Sequence, residues 1–431
     1  MNAPFAGQRF AVVGLGRAGL PAARRLREFG ASVVVWDDGE ASRNAAAVEG
    51  FDVRRPSAAE GHFDALVLSP GIPHLLPKPH PEAVWAREAG VPVLTDAELL
   101  YQAVRTLGSK ARFAGITGTN GKSTTTALLA HILTVAGIPN AAGANLGQAA
   151  LSLPVLPDDG VYVLEMSSYM LERLASLRFD VGVMLNLSPD HLDRHGNMAG
   201  YAAAKREIFA RQNADCTAII GIEDKPSRQM ADWLAGQPAK LVTISSEYYE
   251  TPPNRALAGK HNAQNAFAAS EAARALGVSE EAILEGIKTF PGLAHRAQEV
   301  AIREGVRFIN DSKATNADAA SRAMGLFEHF VWVAGGVAKA GGIEDLAPLF
   351  PRIEKAFLIG QDGEVFAQRL SEAGVENNYV GTLERAVPAA FEAAKAGCGT
   401  VLFSPAAASF DQFPNFEVRG ERFTSLAKAD V

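Results

Sequence analysis

The feature that most constrains the fold is the run GITGTNGKST, from Gly115 to Thr124. A short apolar segment precedes it and a helical pattern follows, which predicts a strand, a glycine-rich turn and a helix. Backbone N–H groups in such a turn point at phosphate oxygens, and the helix N-terminus adds partial positive charge. Lys122 would reach the outer phosphates and Ser123 would bind Mg²⁺. The loop is a variant of the common G-x-x-x-x-G-K-[ST] pattern, because Ile116 stands where that pattern has glycine.

The composition indicates a soluble protein of two or three domains. At 431 residues the chain exceeds one ordinary hydrophobic core, and 48% apolar with 21% charged residues is typical of globular proteins. The net charge of −7 leaves no basic surplus for binding nucleic acid. The two cysteines, Cys216 and Cys398, lack the spacing of a metal site or a disulfide framework. Without a signal sequence or a membrane-spanning run, we expect a cytoplasmic protein that binds neither membranes nor nucleic acid.

A second glycine-rich turn lies near the N-terminus. Gly14, Gly16 and Gly19 follow an apolar strand, and Asp37 follows the next strand. This βαβ pattern, G-x-G-x-x-G with a later acid, is typical of NAD binding. Its physical basis is broader, because the glycines let any pyrophosphate approach the helix N-terminus. We therefore predict a site for a nucleotide diphosphate compound.

Polar residues follow the later strands of the central part. Glu165 ends an apolar strand, where an acid can bind the Mg²⁺ of a nucleotide. The next strand leads into residues 188–195, SPDHLDRH, which hold two histidines, two acids and an arginine. Residues 141–147 are predicted to form a glycine-rich loop, and Lys205 lies on a helix predicted over residues 201–211. From the residues alone we interpret Lys205 as a surface lysine. Asn262 and Asn265 are three residues apart, so they share a helix face and could address one ligand.

The last part repeats the alternation of strands and helices. Its strands end in polar residues at 310–316, 335–339 and 404–411. Polar residues at the carboxyl ends of strands are typical of a doubly wound α/β sheet. We predict three α/β domains: a Rossmann-like domain over residues 1–106, a central nucleotide-binding domain over residues 107–292, and a Rossmann-like domain over residues 293–431.

In combination, these segments resemble the Mur ligases, and they follow one another in the order of that family. The segments are 115–123, 165–168, 186–193, 259–262, 295–296 and 310–315. The resemblance covers essentially the whole chain. The start near Gly14, the turn at 69–73 and the tail at 409–420 look most like the members that add D-glutamate. The family consists of cytoplasmic ATP-dependent amide-bond ligases of peptidoglycan synthesis.

The resemblance implies roles in binding ATP and metal. Two Mg²⁺ ions are implied, and the lysine matching Lys205 is carbamylated in the family. The implied ATP-binding residues are Gly118, Thr119, Asn120, Gly121, Lys122, Ser123, Thr124, Asn262, Asn265, Arg296, Asp311 and Lys313. The implied metal ligands are Ser123, Glu165, His191 and, if carbamylated, Lys205. The implied catalytic residues are Lys122, His191 and Lys205.

The resemblance also implies two further substrates, UDP-N-acetylmuramoyl-L-alanine and D-glutamate, and we expect a monomer. The implied contacts to the UDP-linked substrate are Gly14, Leu15, Gly16, Arg17, Asp37, Gly71, Asn145 and Ser167. The implied contacts to D-glutamate are Thr315, Lys339, Ser409, Phe410 and Phe416. Met170 departs from the family, which often has a glutamine at the matching position.

Several functions remain open from the residues. A sibling ligase could add L-alanine or a diamino acid. The Gly14 pattern and the tail argue against a folylpolyglutamate synthetase, which lacks a UDP-binding domain. The Gly14 pattern taken alone favours an NAD-dependent dehydrogenase, which gives Glu165 and His191 no role. A nucleotide-binding regulator without catalysis is the remaining alternative. The amino acid that stimulates ATP turnover distinguishes among them.

Overall fold

A computed structural model describes residues 3–250, 252, 254–257, 260–339 and 341–429. Gly259, which belongs to one of the family-like segments, lies outside the described residues. The chain forms two compact units, Met1–Phe290 and Pro291–Val431.

The first unit contains two parallel sheets. The strand order of the first sheet is β3-β2-β1-β4-β5, and that of the second is β11-β10-β9-β6-β8-β7. The strands of the first sheet are β1 (Arg9–Val13), β2 (Ser32–Trp36), β3 (Asp52–Val53), β4 (Ala65–Leu68) and β5 (Val93–Leu94). Those of the second are β6 (Arg112–Thr117), β7 (Asn140–Ala144), β8 (Val161–Glu165), β9 (Val181–Met184), β10 (Thr217–Gly221) and β11 (Lys240–Ile244).

Helices connect these strands and cover the sheets. They are α1 (Gly19–Glu28), α2 (Glu40–Val48), α3 (Pro81–Glu88), α4 (Asp96–Thr106), α5 (Lys122–Val135), α6 (Ser168–Leu171), α7 (Leu192–His195), α8 (Met198–Arg206), α9 (Lys225–Leu234), α10 (Lys260–Ala275) and α11 (Glu280–Thr289). Short 3₁₀ turns occur at Pro56–Ala58, Ala150–Ser152, Ser246–Tyr248 and Arg255–Leu257.

The second sheet is apolar on both faces because helices cover both. Every residue of β8, VYVLE, is buried, as expected for a central parallel strand. The order places β6 between β8 and β9, so the chain leaves β6 at a point where connections run to either side. In open parallel sheets this is where ligands bind, beyond the carboxyl ends of the strands.

The two sheets of the first unit share one core. A continuous cluster of buried side chains runs through both sheets, from Phe5 to Ala239. Two buried acids of α4 add polar links: Asp96 accepts a hydrogen bond from the Ala150 N–H at 2.7 Å, and Glu98 accepts from the Leu177 N–H at 2.9 Å. The division of this unit near residue 106 stays a prediction, as do the other domain limits.

The second unit has one six-stranded sheet, in the order β12-β13-β17-β14-β15-β16. Only the β12–β13 pair is antiparallel among the strand pairs of the described residues. The strands are β12 (Gln298–Arg303), β13 (Val306–Asn310), β14 (Phe330–Gly335), β15 (Ile353–Ile359), β16 (Asn377–Gly381) and β17 (Thr400–Phe403). The helices are α12 (Ala317–Met324), α13 (Gly363–Glu372), α14 (Leu383–Ala396) and α15 (Phe416–Lys428), with a 3₁₀ segment at Glu344–Arg352.

The predicted α/β class with parallel sheets is confirmed, and two local predictions are wrong. Residues 141–147 were expected to form a glycine-rich loop, but Asn140–Ala144 is an edge strand paired with β8. Small residues suit this strand, since a Cβ on Gly143 would crowd Leu153 and the Gln148 carbonyl. The helix expected over residues 201–211 instead spans Met198–Arg206. Within the described ranges, no helix is both long and apolar enough to cross a membrane.

Candidate active site

The glycine-rich turn after β6 forms a tight loop at the start of α5. Gly118 and Gly121 have φ of 149° and 88°, in the region that favours glycine. The Lys122 ammonium folds back over the loop and donates to the carbonyls of Gly118 at 2.9 Å and Thr119 at 2.8 Å. Ser123 lies beside it in the first turn of α5. The strand, turn and helix expected from the sequence are confirmed.

The segment after β9 holds the other side of this loop. The Asn120 N–H donates to Asn186 Oδ1 at 2.9 Å, and the Thr119 N–H donates to the Asn186 carbonyl at 2.9 Å. The Ser188 N–H donates to Thr119 Oγ1 at 3.0 Å. The conformation of the phosphate loop therefore depends on residues nearly seventy positions along the chain.

The start of α10 contributes two amides. Asn265 Nδ2 donates to Asn262 Oδ1 at 3.0 Å, so the predicted common helix face is confirmed. Asn265 is buried, and a Cβ on Gly121 would overlap its amide oxygen. The helix thus approaches the phosphate loop where only glycine leaves enough room.

Glu165 is the last residue of β8 and pairs in register with Ile116 of β6. Its carboxylate lies at the base of the phosphate loop and is only 2% exposed. Oε1 accepts a hydrogen bond from Asn145 Nδ2 at 2.6 Å. Oε2 is buried and has no hydrogen-bond partner among the described residues. A buried carboxylate oxygen without a partner is costly unless a ligand satisfies it.

Lys205 is buried, so its interpretation as a surface lysine is wrong. Its Nζ is 2.8 Å from the Gly118 carbonyl and 3.2 Å from Thr117 Oγ1. Burial lowers the pKa of Lys205 well below its usual range, and the charge of Lys122 lowers it further. Two amines, from α5 and α8, therefore converge on one carbonyl of the phosphate loop.

His191 begins the turn that leads into α7. Its backbone is left-handed, with φ of 51°, and its side chain is half exposed. The ring lies 5.0 Å from that of Tyr169, and Nε2 is 3.4 Å from an oxygen of Asp190. In the part of the chain that the structure describes, no three His, Cys, Asp or Glu side chains group closely enough to hold a metal. A metal here would also need hydroxyl, carbamate, phosphate or water oxygens.

The N-terminal glycine turn is held by an acid. Gly14 has φ of 86°, and the Leu15 N–H donates to Asp37 Oδ2 at 2.6 Å. Asp37 Oδ1 accepts from the Gly39 N–H at 2.8 Å, so this carboxylate joins the ends of β1 and β2. Gly16 and Arg17 are exposed on the outer side of the turn.

Two arginines connect the turn after β4 with the second sheet. Arg173 donates to the carbonyls of Leu68 at 2.8 Å and Ile72 at 2.7 Å, and Arg194 donates to the Gly71 carbonyl at 3.0 Å. Arg173 is buried, and desolvation lowers its pKa to about 10. These bonds fix the turn that contains the predicted substrate contact Gly71.

The segment between β8 and α6 contains Ser167 and Met170. The Ser167 hydroxyl caps α6 by accepting from the Met170 N–H at 3.3 Å. The Met170 side chain packs in the hydrophobic core and is 2% exposed. The residue that departs from the family pattern is therefore a core residue in this chain.

In the second unit, Asp311 follows β13 and is buried. Its Oδ2 accepts from Ser404 Oγ at 2.7 Å and its Oδ1 from the Ala297 N–H at 3.0 Å. Burial raises the pKa of Asp311 to about 7. The Lys313 ammonium lies over the Phe416 ring, 5.4 Å from its centroid. Two residues from different predicted subsites are thus in contact.

Two further segments of this unit lie side by side. Val337 and Ala408 exchange backbone hydrogen bonds of 2.9 and 2.8 Å, which brings the approaches to Lys339 and Ser409 together. Lys339 and Phe410 are exposed, whereas Ser409 is buried. Thr315 and Arg296 lie in turns, where the Thr315 N–H donates to the Lys313 carbonyl and the Arg296 N–H to the Leu293 carbonyl.

Comparison with known proteins identifies the family. Residues 116–254 match the Mur ligase middle domain. A UDP-N-acetylmuramoylalanine–D-glutamate ligase of Paramagnetospirillum magneticum is 46% identical, with 98% of this chain and 97% of the relative covered. The enzyme of the same name from Caulobacter vibrioides is 48% identical over 97% of this chain and 95% of its own. The chain belongs to the Mur ligase family.

Solved structures agree with this Mur ligase fold. The crystal structure of UDP-N-acetylmuramate–alanine ligase MurC from Thermotoga maritima is similar with a TM-score of 0.55, at 20% identity. The similarity covers 97% of this chain and 98% of that one. MurF from Acinetobacter baumannii gives a TM-score of 0.57 over 77% of this chain and 81% of its own, also at 20% identity. The family resemblance expected from the sequence is confirmed.

In this Mur ligase, sequence reasoning missed three residues that organise the site. Asn186 holds the phosphate loop, Thr117 contacts the buried amine of Lys205, and Arg173 fixes the Gly71 turn. Asn186 carried a usable signal, because an amide directly beyond a buried strand belongs at the ligand edge of the sheet. Thr117 and Arg173 carried none, since their partners are distant in sequence.

Proposed function

We propose that this Mur ligase uses ATP to join D-glutamate to the carboxylate of UDP-N-acetylmuramoyl-L-alanine, with an acyl phosphate as intermediate. The observation that carries the proposal is the convergence of Lys122 and Lys205 on the Gly118 carbonyl, beside the buried carboxylate of Glu165. The high identity over the full length to ligases of that printed name supports the substrates.

ATP binds with its phosphates on the loop after β6. The amides of residues 118–124 and the start of α5 favour negative charge, and Lys122 supplies a cation for the transferred phosphoryl group. The paired amides of Asn262 and Asn265 address the nucleotide from α10. The hydrogen bonds from the Lys122 ammonium to the Gly118 and Thr119 carbonyls support this role, because they hold the cation against the loop.

The residues present fit Mg²⁺. Glu165 Oε2 is a buried oxygen lacking a partner among the described residues, which a cation would satisfy. Ser123 would hold a first ion with Glu165, and His191 with a carbamylated Lys205 would hold a second. Bound Mg²⁺ neutralises the negative charge that develops on the phosphoryl oxygens. Asn145 keeps the Glu165 carboxylate oriented through its 2.6 Å hydrogen bond.

Lys205 carries a carbamate in the active enzyme. Carbamate formation needs a neutral amine, whose nitrogen attacks the carbon of CO₂ and then loses a proton. Burial favours that neutral form by lowering the pKa of Lys205. The product is negative, so the repulsion between Lys205 and Lys122 becomes attraction.

The UDP-linked substrate binds across the N-terminal turns. The residues involved are Gly14, Leu15, Gly16, Arg17, Asp37, Gly71, Asn145 and Ser167. The glycine turn at the start of α1 receives the pyrophosphate, and Arg173 and Arg194 keep the Gly71 turn in place. Asn145 contacts the sugar-phosphate portion while it also orients Glu165.

The second unit also contains proposed substrate contacts. Arg296, Asp311 and Lys313 bind the nucleotide. The incoming amino acid is bound by Thr315, Lys339, Ser409, Phe410 and Phe416. A lysine and hydroxyl groups suit the carboxylates of glutamate. The exposed positions of Lys339 and Phe410 support these roles, because both side chains are accessible to a ligand.

The reaction has two steps. A carboxylate oxygen of UDP-N-acetylmuramoyl-L-alanine attacks the γ-phosphorus of ATP, and the bond to ADP breaks. The amine of D-glutamate then attacks the acyl carbon, a tetrahedral intermediate forms, and phosphate leaves as the amine loses a proton. Both steps gather negative charge on oxygen, so Lys122 and bound cations contribute more than a covalent enzyme intermediate would.

Phosphate release from ATP tests the proposal. The assay contains UDP-N-acetylmuramoyl-L-alanine and one amino acid from a panel of D-glutamate, L-glutamate, L-alanine and a diamino acid. We expect stimulation by D-glutamate and none when the UDP-linked substrate is omitted. Stimulation only by another amino acid would indicate a sibling ligase, and no stimulation by any would refute the proposed reaction. Saturable enhancement of NADH fluorescence would instead favour the dehydrogenase.

A further inference from the structure

A hydrogen-bonded set of three side chains near the site, Glu172, His195 and Ser168, has no role in the reaction described above. We call this set the His195 triad. Residues 188–195 contain two histidines, and only His191 has a role in that reaction. In the structure, His195 Nδ1 is 2.8 Å from Glu172 Oε1, and Nε2 is 2.9 Å from Ser168 Oγ. The His195 side chain is fully buried, and Ser168 is 2% exposed.

The direction of these hydrogen bonds follows from chemistry. A carboxylate only accepts, so Nδ1 of His195 carries the proton that Glu172 receives. The fully buried His195 side chain disfavours a charged ring, because burying a charge is costly. A neutral ring with a proton on Nδ1 has a lone pair on Nε2, and the Ser168 hydroxyl donates to it. Every polar atom of the ring is thereby satisfied.

This arrangement of serine, histidine and acid resembles a hydrolytic triad, but burial excludes that use. Ser168 is 2% exposed, and the Tyr169 ring stacks on the His195 ring with the centroids 5.6 Å apart. A nucleophile must be accessible to its substrate. The three residues therefore act on the protein rather than on a substrate.

The His195 triad joins two very short helices. Ser168 and Glu172 lie at the two ends of α6, three and seven residues after Glu165. His195 ends α7, and its N–H donates to the His191 carbonyl at 3.2 Å. Helices of one turn have little stability of their own, so side-chain contacts must hold them. His191 is half exposed, so burial does not position its ring.

We propose that Glu172, His195 and Ser168 are positioning residues that set the separation of Glu165 and His191, the side chains assigned above to Mg²⁺. The inference rests on that proposed function. Ser168 ties His195 to the segment that follows Glu165, and the α7 turn carries the constraint to His191. When the hydrogen bonds of the His195 triad are lost, Glu165 and His191 remain, but their separation is no longer fixed.

Two substitutions of His195 remove different hydrogen bonds of the triad. In His195→Asn the amide reaches the position of Nδ1 and keeps a donor for Glu172, whereas in His195→Gln it reaches the position of Nε2 and keeps the Ser168 contact. His131→Gln is the matched control, since His131 Nε2 also contacts a hydroxyl, Thr289 Oγ1 at 3.0 Å, but on the second half of α5. Thermal unfolding identifies any variant that fails to fold.

Mn²⁺ binding provides the main measurement. Free Mn²⁺ is followed by electron paramagnetic resonance with a non-hydrolysable ATP analogue present. We expect both His195 variants to bind Mn²⁺ about 10-fold more weakly, as for other losses of support behind metal ligands, and His131→Gln to bind like wild type. The KM for the UDP-linked substrate should not change, which separates positioning from general damage. Wild-type Mn²⁺ affinity in both folded His195 variants would overturn the proposal.

Nitrogen NMR of the metal-free protein gives a second readout that needs no activity. Wild-type His195 should show a protonated Nδ1 and an unprotonated Nε2, and Ser168→Ala should shift only the Nε2 resonance. A proton on Nε2 would contradict the proposed directions of the hydrogen bonds in the His195 triad. Wild-type phosphate release without any divalent cation would instead refute the proposed metal role itself, so the two failures are distinguishable.

Discussion

The first unit contains two glycine turns that begin helices, and they differ in how their polar groups are used. The turn at Gly14 is closed by an acid, because Asp37 accepts from the Leu15 N–H. The turn at Gly118 is closed by two amines, from Lys122 and Lys205. The same kind of glycine turn can therefore bind a phosphate compound at Gly14 and support a reaction of a phosphate at Gly118. Charge, rather than glycine spacing, distinguishes the two turns.

The largest expected effect comes from removing the ammonium at the second turn. In Lys122→Ala we expect kcat to fall by about 10³-fold, as when other groups that stabilise transition-state charge are lost. The KM for the UDP-linked substrate should remain unchanged, because we propose that this substrate binds at the first turn. Steady-state phosphate release measures both values. Lys225→Ala is the control, since Lys225 also begins a helix but is exposed at α9. Near-normal kcat in Lys122→Ala would refute the comparison.

The buried amine should have the next largest effect. We expect Lys205→Ala to lose about 10²-fold in kcat, in line with losses at metal sites, and to regain part of it with added short carboxylic acids. Lys205→Arg keeps a positive charge but forms no carbamate, so it should be equally slow and gain nothing from the acids. Full activity of Lys205→Arg would show that charge alone is required.

At the first turn we expect an effect on binding only. In Asp37→Asn one of the two backbone donors loses its acceptor, and an unsatisfied donor costs about 1–3 kcal/mol. The KM for the UDP-linked substrate should rise by about 10-fold, with kcat unchanged. Asp52→Asn serves as the control, because Asp52 lies on the same sheet and forms an ion pair with the exposed Arg54. A fall in kcat without a change in KM would reverse the roles of the two turns.

The smallest effect concerns the shape of the first turn. A Cβ on Gly14 would lie 2.6 Å from Ile72 Cδ1, and φ there is 86°. We expect Gly14→Ala to lower the free energy of unfolding by about 2 kcal/mol, of which about 1 kcal/mol is the backbone cost. Gly50→Ala isolates that backbone cost, since Gly50 has φ of 76° and open space around its Cβ. Equal urea midpoints for the two variants would show that crowding at Gly14 is absent.

The sequence predicted those elements whose signals are local. The apolar runs of β6, β8 and β9 and the two glycine turns were recognisable, because burial on both faces gives continuous apolar strands. The edge strand at Asn140–Ala144 was missed, since alanine and glycine give no strand signal. Asn262 and Asn265 were correctly paired because helical spacing is also local.

The parts of the site that depend on distant contacts were not predictable from the residues. Lys205 looked like a surface lysine, and only the family resemblance suggested a role before the structure revealed its burial. The link from His195 to Ser168 spans 27 residues without any repeating pattern. Such contacts arise from the packing of one crossover against another, which no window of sequence contains.

The hydrogen bond from Lys205 to Thr117 joins α8 to the end of β6, and the two residues are 88 positions apart. Contacts of that separation form slowly, because the entropy of closing the loop is lost before the contact is gained. The glycine turn after β6 leaves the ribosome before α8 does. It lacks the contact with Lys205 until β8, β9 and α8 have been synthesised. The contact between Lys205 and the phosphate loop is therefore a late event in the folding of this unit. A chain that stops before α8 retains the whole run from Gly115 to Thr124 but lacks the Lys205 amine that contacts it.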